Sequence, residues 1–257
     1  MDRIGVIYRE KFKNKLPIPF TGTWELAGKG FFVKDGIVPA ADITWQSYFY
    51  WKQSINLDND SVSFKILLRD KRSVFRVARM ASPSRPGFSS TAEFDGKTRN
   101  ISLYQTVASI NDIPDKVLVK SKISFDIFPD REYYCTLSCN AERVFFEIMD
   151  TEANSAESIE FLSTGTGEKN PGRCWCYPVF YLHSGSVVIR EFIYLSDMPA
   201  SPKAVILGNS ITEGDTLRNE VGGGYRNRWA GRLYDELGGN VAILGTAGET
   251  SSPLFRS

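Results

Sequence analysis

The chain has 257 residues, 42% of them apolar and 24% charged, enough to build a packed core and to exclude global disorder. Its 31 basic and 30 acidic residues leave a net charge of +1, so no charge imbalance directs it to nucleic acid or to an anionic membrane surface, and neither is expected as a partner. No apolar run reaches the roughly 18 residues needed to span a bilayer. The opening Met1-Asp2-Arg3-Ile4-Gly5-Val6-Ile7-Tyr8-Arg9 lacks the apolar stretch of a signal peptide. Either the protein is cytoplasmic, or its true N-terminus is missing and it is exported.

Aromatic residues make up 13% of the chain, and most precede residue 195. Aromatic-rich, turn-rich sequence favours strands. Candidate strands fall at 30–33, 48–51, 62–68, 73–78, 101–105, 121–127, 132–138, 143–148 and 186–194. Val62, Phe64, Ile66 and Leu68 share one face, as do Ile123, Phe125 and Ile127. Turn signals separate the strands: Lys34-Asp35-Gly36, Asp58-Asn59-Asp60, Asp95-Gly96 and Cys139-Asn140-Ala141-Glu142. Many short strands at this spacing, with no convincing helix, predict an all-β sandwich over residues 1–198. Two long loops, Ser- and Pro-rich 81–90 and Gly-rich 163–172, are places where a sandwich carries a binding site, and equally ordinary connectors.

The cysteines are Cys135, Cys139, Cys174 and Cys176. On a strand, Tyr133, Cys135, Leu137 and Cys139 point to the same side. Cys135 and Cys139 are then about 13 Å apart by strand rise and cannot bridge each other. Buried free thiols are the expected state. A cross-strand disulfide to Cys174 or Cys176 and a loose metal site are the alternatives. Glu157 and Glu160 are the nearest candidates for a glycosidase carboxylate pair, but no alternating acidic pattern surrounds them.

The order of these strands resembles a concanavalin A-like (jelly-roll) lectin module. The likeness rests on residues 24–36, on 45–57, and on Gly172-Arg173-Cys174-Trp175-Cys176-Tyr177 leading into Val187-Val188-Ile189-Arg190-Glu191-Phe192. It implies an accessory sandwich and glycan binding by it.

The character of the chain changes across 196–202, where two prolines and small polar residues mark a linker, placed at 199–202. Beyond it, a strand at 203–207 is followed by a helix at 225–237, with Trp229, Leu233 and Leu237 on one face. Gly238-Gly239 stops that helix, and a second strand follows at 240–244. Strand, helix and strand in this order open a parallel α/β sheet. Gly222-Gly223-Gly224 lacks the frame of a phosphate-binding loop and reads as a flexible lead into the helix.

The first of these strands runs straight into Gly208-Asn209-Ser210-Ile211-Thr212-Glu213-Gly214, a glycine-flanked turn that lifts one serine off the end of a buried strand. After the second comes Leu244-Gly245-Thr246-Ala247-Gly248-Glu249-Thr250-Ser251. These blocks resemble the first two of the SGNH (GDSL-type) hydrolases, whose domain is flavodoxin-like, and the likeness covers residues 203–251. It implies that Ser210 is the nucleophile and that the backbone N–H groups of Ser210 and Gly248 hold the oxyanion. Losing one such donor typically costs about 3 kcal/mol of transition-state stabilisation.

Asn209 stands where the family more often has Asp. No residue matches the family's later Asn block or its Asp-x-x-His, which supplies the base. His183 is the only histidine. It lies in a segment expected to be a turn between sandwich strands, and a structural or exposed role is expected for it.

The reading is therefore a β-sandwich (1–198), a linker (199–202) and the start of an SGNH hydrolase domain (203–257), C-terminally incomplete and inactive alone. The expected chemistry is serine ester hydrolysis through an acyl-enzyme. The tandem with a lectin-like module suggests a small-molecule or polysaccharide ester, such as an acetylated carbohydrate, by analogy. No metal or organic cofactor is implied. The alternatives are a carbohydrate-binding sandwich carrying an inert hydrolase remnant, and a sandwich that only shapes the hydrolase crevice.

Overall fold

A computed structural model describes residues 3–12, 24–27, 31–33, 36–39, 48–51, 55–56, 60–80, 89–106, 116–140, 143–162, 175–184, 187–199, 203–208, 233, 236–237 and 241–245. Strands are numbered in chain order. One sheet runs β14 (Ser155–Leu162), β13 (Arg143–Asp150), β12 (Arg131–Asn140), β7 (Asp60–Leu68), β16 (Val187–Pro199), β4 (Ile37–Pro39) and β3 (Phe31–Val33), with β1 (Arg3–Lys11) also paired to β16. The other runs β11 (Lys116–Lys122), β10 (Asn100–Thr106), β9 (Ser89–Asp95), β8 (Val74–Met80), β15 (Trp175–Ser184), β5 (Tyr48–Trp51) and β2 (Trp24–Ala27), with β6 (Ile55–Asn56) paired to β15. Every pairing within the two sheets is antiparallel.

The period-2 pattern decides which faces meet. Val62, Phe64, Ile66 and Leu68 of β7 are all at most 1% exposed, as their alternation predicts. In register beside them on β12 stand Leu137, Cys135 and Tyr133, equally buried. The second sheet answers with Phe75, Val77, Phe94, Leu103 and Phe180. Phe64 meets the edges of Phe75 and Phe180 across the gap, at centroid distances of 6.0 and 5.1 Å. Burying one such ring contributes ~1.5–3 kcal/mol, and a well-placed aromatic pair adds ~0.5–1.5 kcal/mol. Trp24 extends this cluster, edge-on to Phe192 at 5.0 Å.

The turn signals fall where chains reverse. Asp95-Gly96 joins β9 to β10, and Cys139 to Glu142 joins β12 to β13. Gly36 precedes β4 with φ +134°, and a Cβ there would lie 2.4 Å from Val188 Cγ1, so only glycine fits the approach to β16.

Several expectations need correction. The strand expected at 121–127 ends at Lys122, because its partner β10 begins at Asn100 and leaves nothing to pair with. Ile123 is still buried, and Phe125 and Ile127 pack on the core. The alternation there reflects contact with the core at its open end, not a ladder. Residues 196–199 are the end of β16, with Ser196 opposite Gly5 and Pro199 opposite Arg3. Pro199 closes the strand, where its missing N–H costs little. His183 lies within β15, at a register shift between Leu182 and Ser184, and not in a turn.

The strands expected at 203–207 and 240–244 are β17 (Ala204–Gly208) and β18 (Val241–Gly245), paired parallel from Ala204 opposite Val241 to Gly208 opposite Gly245. Of the helix expected over 225–237, only Leu233, Glu236 and Leu237 are described, and the Leu237 amide donates to the Leu233 carbonyl at 3.0 Å, the helical spacing. The described architecture is an all-β sandwich of two sheets, with the short parallel pair β17–β18 as a sheet of its own. Among the described residues no helix is long and apolar enough to cross a membrane.

Candidate functional site

The outward face of the second sheet carries side chains that an ordinary solvated face lacks. Register places them in two rows across the strands. One row is Ser102, Glu93, Arg76 and Tyr181, each opposite the next on β10, β9, β8 and β15. The other is Tyr104, Thr91, Ala78, Val179 and Tyr50, ending on β5. The second row crosses four strand gaps, roughly 19 Å at the usual spacing.

The tyrosines cover the apolar half of this face. Ala78 and Val179 point outward yet are at most 1% exposed, because Tyr48, Tyr50 and Tyr181 pack over them. Tyr48 lies 5.3 Å from Tyr181 and 6.2 Å from Tyr50, tilted to both. All three remain half-buried, so each ring is held by its neighbours while part of it meets solvent.

The polar half is built around Glu93. Arg76 Nε donates to Glu93 Oε2 at 2.6 Å, and the Tyr104 hydroxyl donates to Oε1 at 3.0 Å. The Arg76 guanidinium also lies over the Tyr104 ring, 5.2 Å from its centroid. Glu93, Thr91 and Ser102 are all buried although they face outward. Such groups must be satisfied in place, and here the carboxylate is fully engaged. Burial, then the Glu93 carboxylate, raises the Tyr104 phenol above its ordinary value, and burial alone raises Tyr48. Both phenols are therefore protonated donors throughout the neutral range.

This arrangement suits a ligand with apolar C–H faces and many hydroxyls. Half-exposed rings offer flat apolar contact, and a fixed Arg–Glu–Tyr triad offers directional donors and acceptors. A proton-transfer or nucleophilic role is not suggested, since the carboxylate is already paired.

The residues singled out from sequence fare differently. Ser210 and Gly248 lie outside the described residues, as do Asn209 and Cys174. Cys135 is a buried free thiol, opposite Phe64 and Ile148 on the inner face. Burial pushes its thiol pKa well up, with the Glu147 charge adding to the effect. Glu157 and Glu160 sit three apart on β14 and so face opposite sides, which removes them as a catalytic pair. Glu157 instead accepts from Ser124 Oγ at 2.8 Å and Ser121 Oγ at 3.2 Å. Among the described residues, no three His, Cys, Asp or Glu side chains gather as metal ligands.

Comparison with solved structures matches the sandwich. The carbohydrate-binding module CBM66 from Bacillus subtilis aligns at TM-score 0.51 and 11% identity, over 68% of this chain and 96% of its own. The exoplasmic/lumenal domain of VIP36, in its Ca2+/Man3GlcNAc-bound form, aligns at TM-score 0.53 and 9% identity, over 76% of this chain and 93% of its own. The fold is a concanavalin A-like lectin sandwich. Lectin I from Ulex europaeus, in complex with the methyl glycoside of α-L-fucose, gives the same architecture at TM-score 0.50 and 10% identity, over 74% of this chain and 97% of its own. No protein-family model matches the chain, and no curated protein matches it. At these identities the likeness establishes the lectin-like fold alone.

Sequence reasoning offered the sandwich only the loops 81–90 and 163–172 as places for a site, and of these 81–88 and 163–172 lie outside the described residues; it did not single out the tyrosine face. Part of the signal was present: Tyr48 and Tyr50 alternate with the buried Phe49 and Trp51. Arg76 and Glu93 each interrupt an apolar stretch, but nothing in the sequence pairs residues on separate strands before the register is known.

Proposed function

We propose that the protein binds carbohydrate through the outward face of its second sheet. The observation that carries this reading is the pair of rows that sets Tyr50, Tyr104 and Tyr181, with Tyr48 packed against two of them, beside a locked Arg76–Glu93 pair. The row length favours an oligosaccharide lying across the strands over a single sugar. Solved neighbours with this fold include proteins crystallised with Man3GlcNAc and with a fucoside, and they lend the reading support from fold alone.

A glycan array followed by calorimetry on the best ligand tests it. Tyr50→Ala and Tyr181→Ala are expected to weaken that ligand about tenfold or more, as loss of a central aromatic contact does. A blank array, or unchanged affinity in both variants with the fold intact, removes the reading.

A second reading, that residues 203–257 open an SGNH-type esterase domain, is favoured by the parallel pairing of β17 with β18. Gly208 and Gly245 end the two strands at the same end of the pair, the end at which open α/β sheets place their chemistry. In this reading Ser210 gives its proton to a general base of the kind the family's Asp-x-x-His block supplies and attacks the ester carbonyl, the N–H groups of Ser210 and Gly248 stabilise the oxyanion, the alcohol leaves with that proton, and water hydrolyses the acyl-enzyme to release the acid. The substrate is a carbohydrate acyl ester. If a complete enzyme that carries the base turns over aryl acetates just as fast after Ser210→Ala, Ser210 is removed from the mechanism.

A further inference from the structure

One end of the sandwich is built from three segments: the turn 69–73 between β7 and β8, the turn 96–99 between β9 and β10, and residues 123–130, which carry the chain from the second sheet to the first. They enclose an open cleft of about 570 Å³ lined by Lys71, Arg72, Lys97, Arg99, Asp126 and Phe128, among others. That volume lies within the usual range for small-ligand sites.

The cleft is rigid. The Gly96 amide donates to the Ser73 carbonyl at 2.9 Å. A Cβ on Gly96 would come within 2.2 Å of the Lys71 carbonyl oxygen, so the two hairpin turns are in direct contact. Asp70 and Asp95 brace their own turns, accepting from the Arg72 amide at 2.8 Å and the Lys97 amide at 2.9 Å. The Ile123 amide donates to the Arg99 carbonyl at 2.8 Å, which ties the third segment to the second.

Charge in the cleft is unevenly matched. Arg99 pairs with Asp126 at 3.1 Å, and Arg72 lies 3.6 Å from Asp70. Asp95 is spent on the backbone of its turn and on Thr98. Among the described residues, neither the Lys71 nor the Lys97 ammonium has a carboxylate partner. Beside them Phe128 is 45% exposed, with the Arg131 guanidinium 4.4 Å from its ring centroid. Arg131 is itself fixed by Asp150 at 2.6 Å.

We infer that this cleft binds an anionic sugar unit, with a carboxylate or sulfate group between Lys71 and Lys97 and the apolar face of the ring against Phe128. Two ammonium groups with no carboxylate partner among the described residues recognise an oxyanion, and an exposed ring held in place by a cation supplies the flat apolar contact a sugar needs. The site is separate from the tyrosine face and does not depend on glycan binding there.

The test is fluorescence anisotropy with a labelled oligogalacturonide and a labelled sulfated dextran oligosaccharide, each against a neutral oligosaccharide of equal length. At least one charged probe should bind about tenfold or more tighter than its neutral counterpart, and Lys71→Gln/Lys97→Gln should abolish that preference and flatten the salt dependence. The two probes distinguish carboxylate from sulfate. Phe128→Ala should weaken the same probe while leaving its salt dependence in place. Tyr50→Ala/Tyr181→Ala should leave it unchanged. A thermal melt of each variant reports whether it is folded. Equal binding of charged and neutral probes, wild-type binding by the double lysine variant, or equal competition by a single-stranded oligonucleotide would overturn the inference.

Discussion

Asp150 illustrates how one buried carboxylate holds a turn. It is 1% exposed and ends β13. Its Oδ1 accepts from the Glu152 and Ala153 amides at 3.0 and 3.1 Å, while Oδ2 takes a 2.6 Å contact from Arg131. Burial on its own would raise this carboxyl, but the Ala153 amide, the Arg131 guanidinium and the Glu152 amide outweigh it and hold it below its ordinary value. A depressed carboxyl adds stability that is complete above its unfolded pKa of about 3.9 and is lost as pH falls through the lower folded value. Asp150→Asn should therefore cost about 1–3 kcal/mol at pH 7. The gap between the two melting curves should close as pH drops below about 4. A gap that stays constant into acid would mean that shape, not charge, is what the turn needs.

At the scale of elements, the latch between the sheets at their edge is Glu157 of β14. It takes the Ser121 and Ser124 hydroxyls, with the Ser124 amide at 3.3 Å, and so joins the edge strand of one sheet to the end of β11 in the other. Ser124 is exposed, so the contact contributes little to global stability. Glu157→Ala should speed amide exchange at Ser124 and along 123–128 while shifting the global stability by less than about 1 kcal/mol. A large loss of global stability would mean that this edge is part of the cooperative core.

The same strand marks what the sequence could convey. The strands β7 and β12 were legible because their two faces differ along them, apolar inside and mostly polar outside, while β13 was legible from its apolar content, since Phe145 and Met149 share its outward face with Glu147. β14 was not, because Ser-Ala-Glu-Ser-Ile-Glu holds too few apolar residues to display a period, and its acids read as a candidate pair. The strand expected through Ile123, Phe125 and Ile127 failed for the converse reason: alternation records burial, and burial here comes without a partner strand. The tyrosine face was half legible, in the alternation of β5, while the Arg76–Glu93 contact depends on strands brought together by the register of β8 and β9.

For the molecule as a whole, the two proposed sites differ in how pH and salt should act. On the tyrosine face, the raised phenols of Tyr48 and Tyr104 stay protonated to beyond the ordinary tyrosine value of about 10. Neutral glycan binding there should stay level from about pH 6 to 9 and respond weakly to salt. A fall in affinity within that window, measured by calorimetry, would point to a titrating group other than these two phenols. Cys135 has a different consequence. Its thiol lies between Phe64 and Ile148 in the middle of one sheet, with its pKa pushed well up. An alkylating reagent must wait for β7 and β12 to part before it meets a thiolate. Each modified Cys135 therefore records one passage through an opened sandwich, which makes this side chain an internal clock for how often the whole protein comes apart.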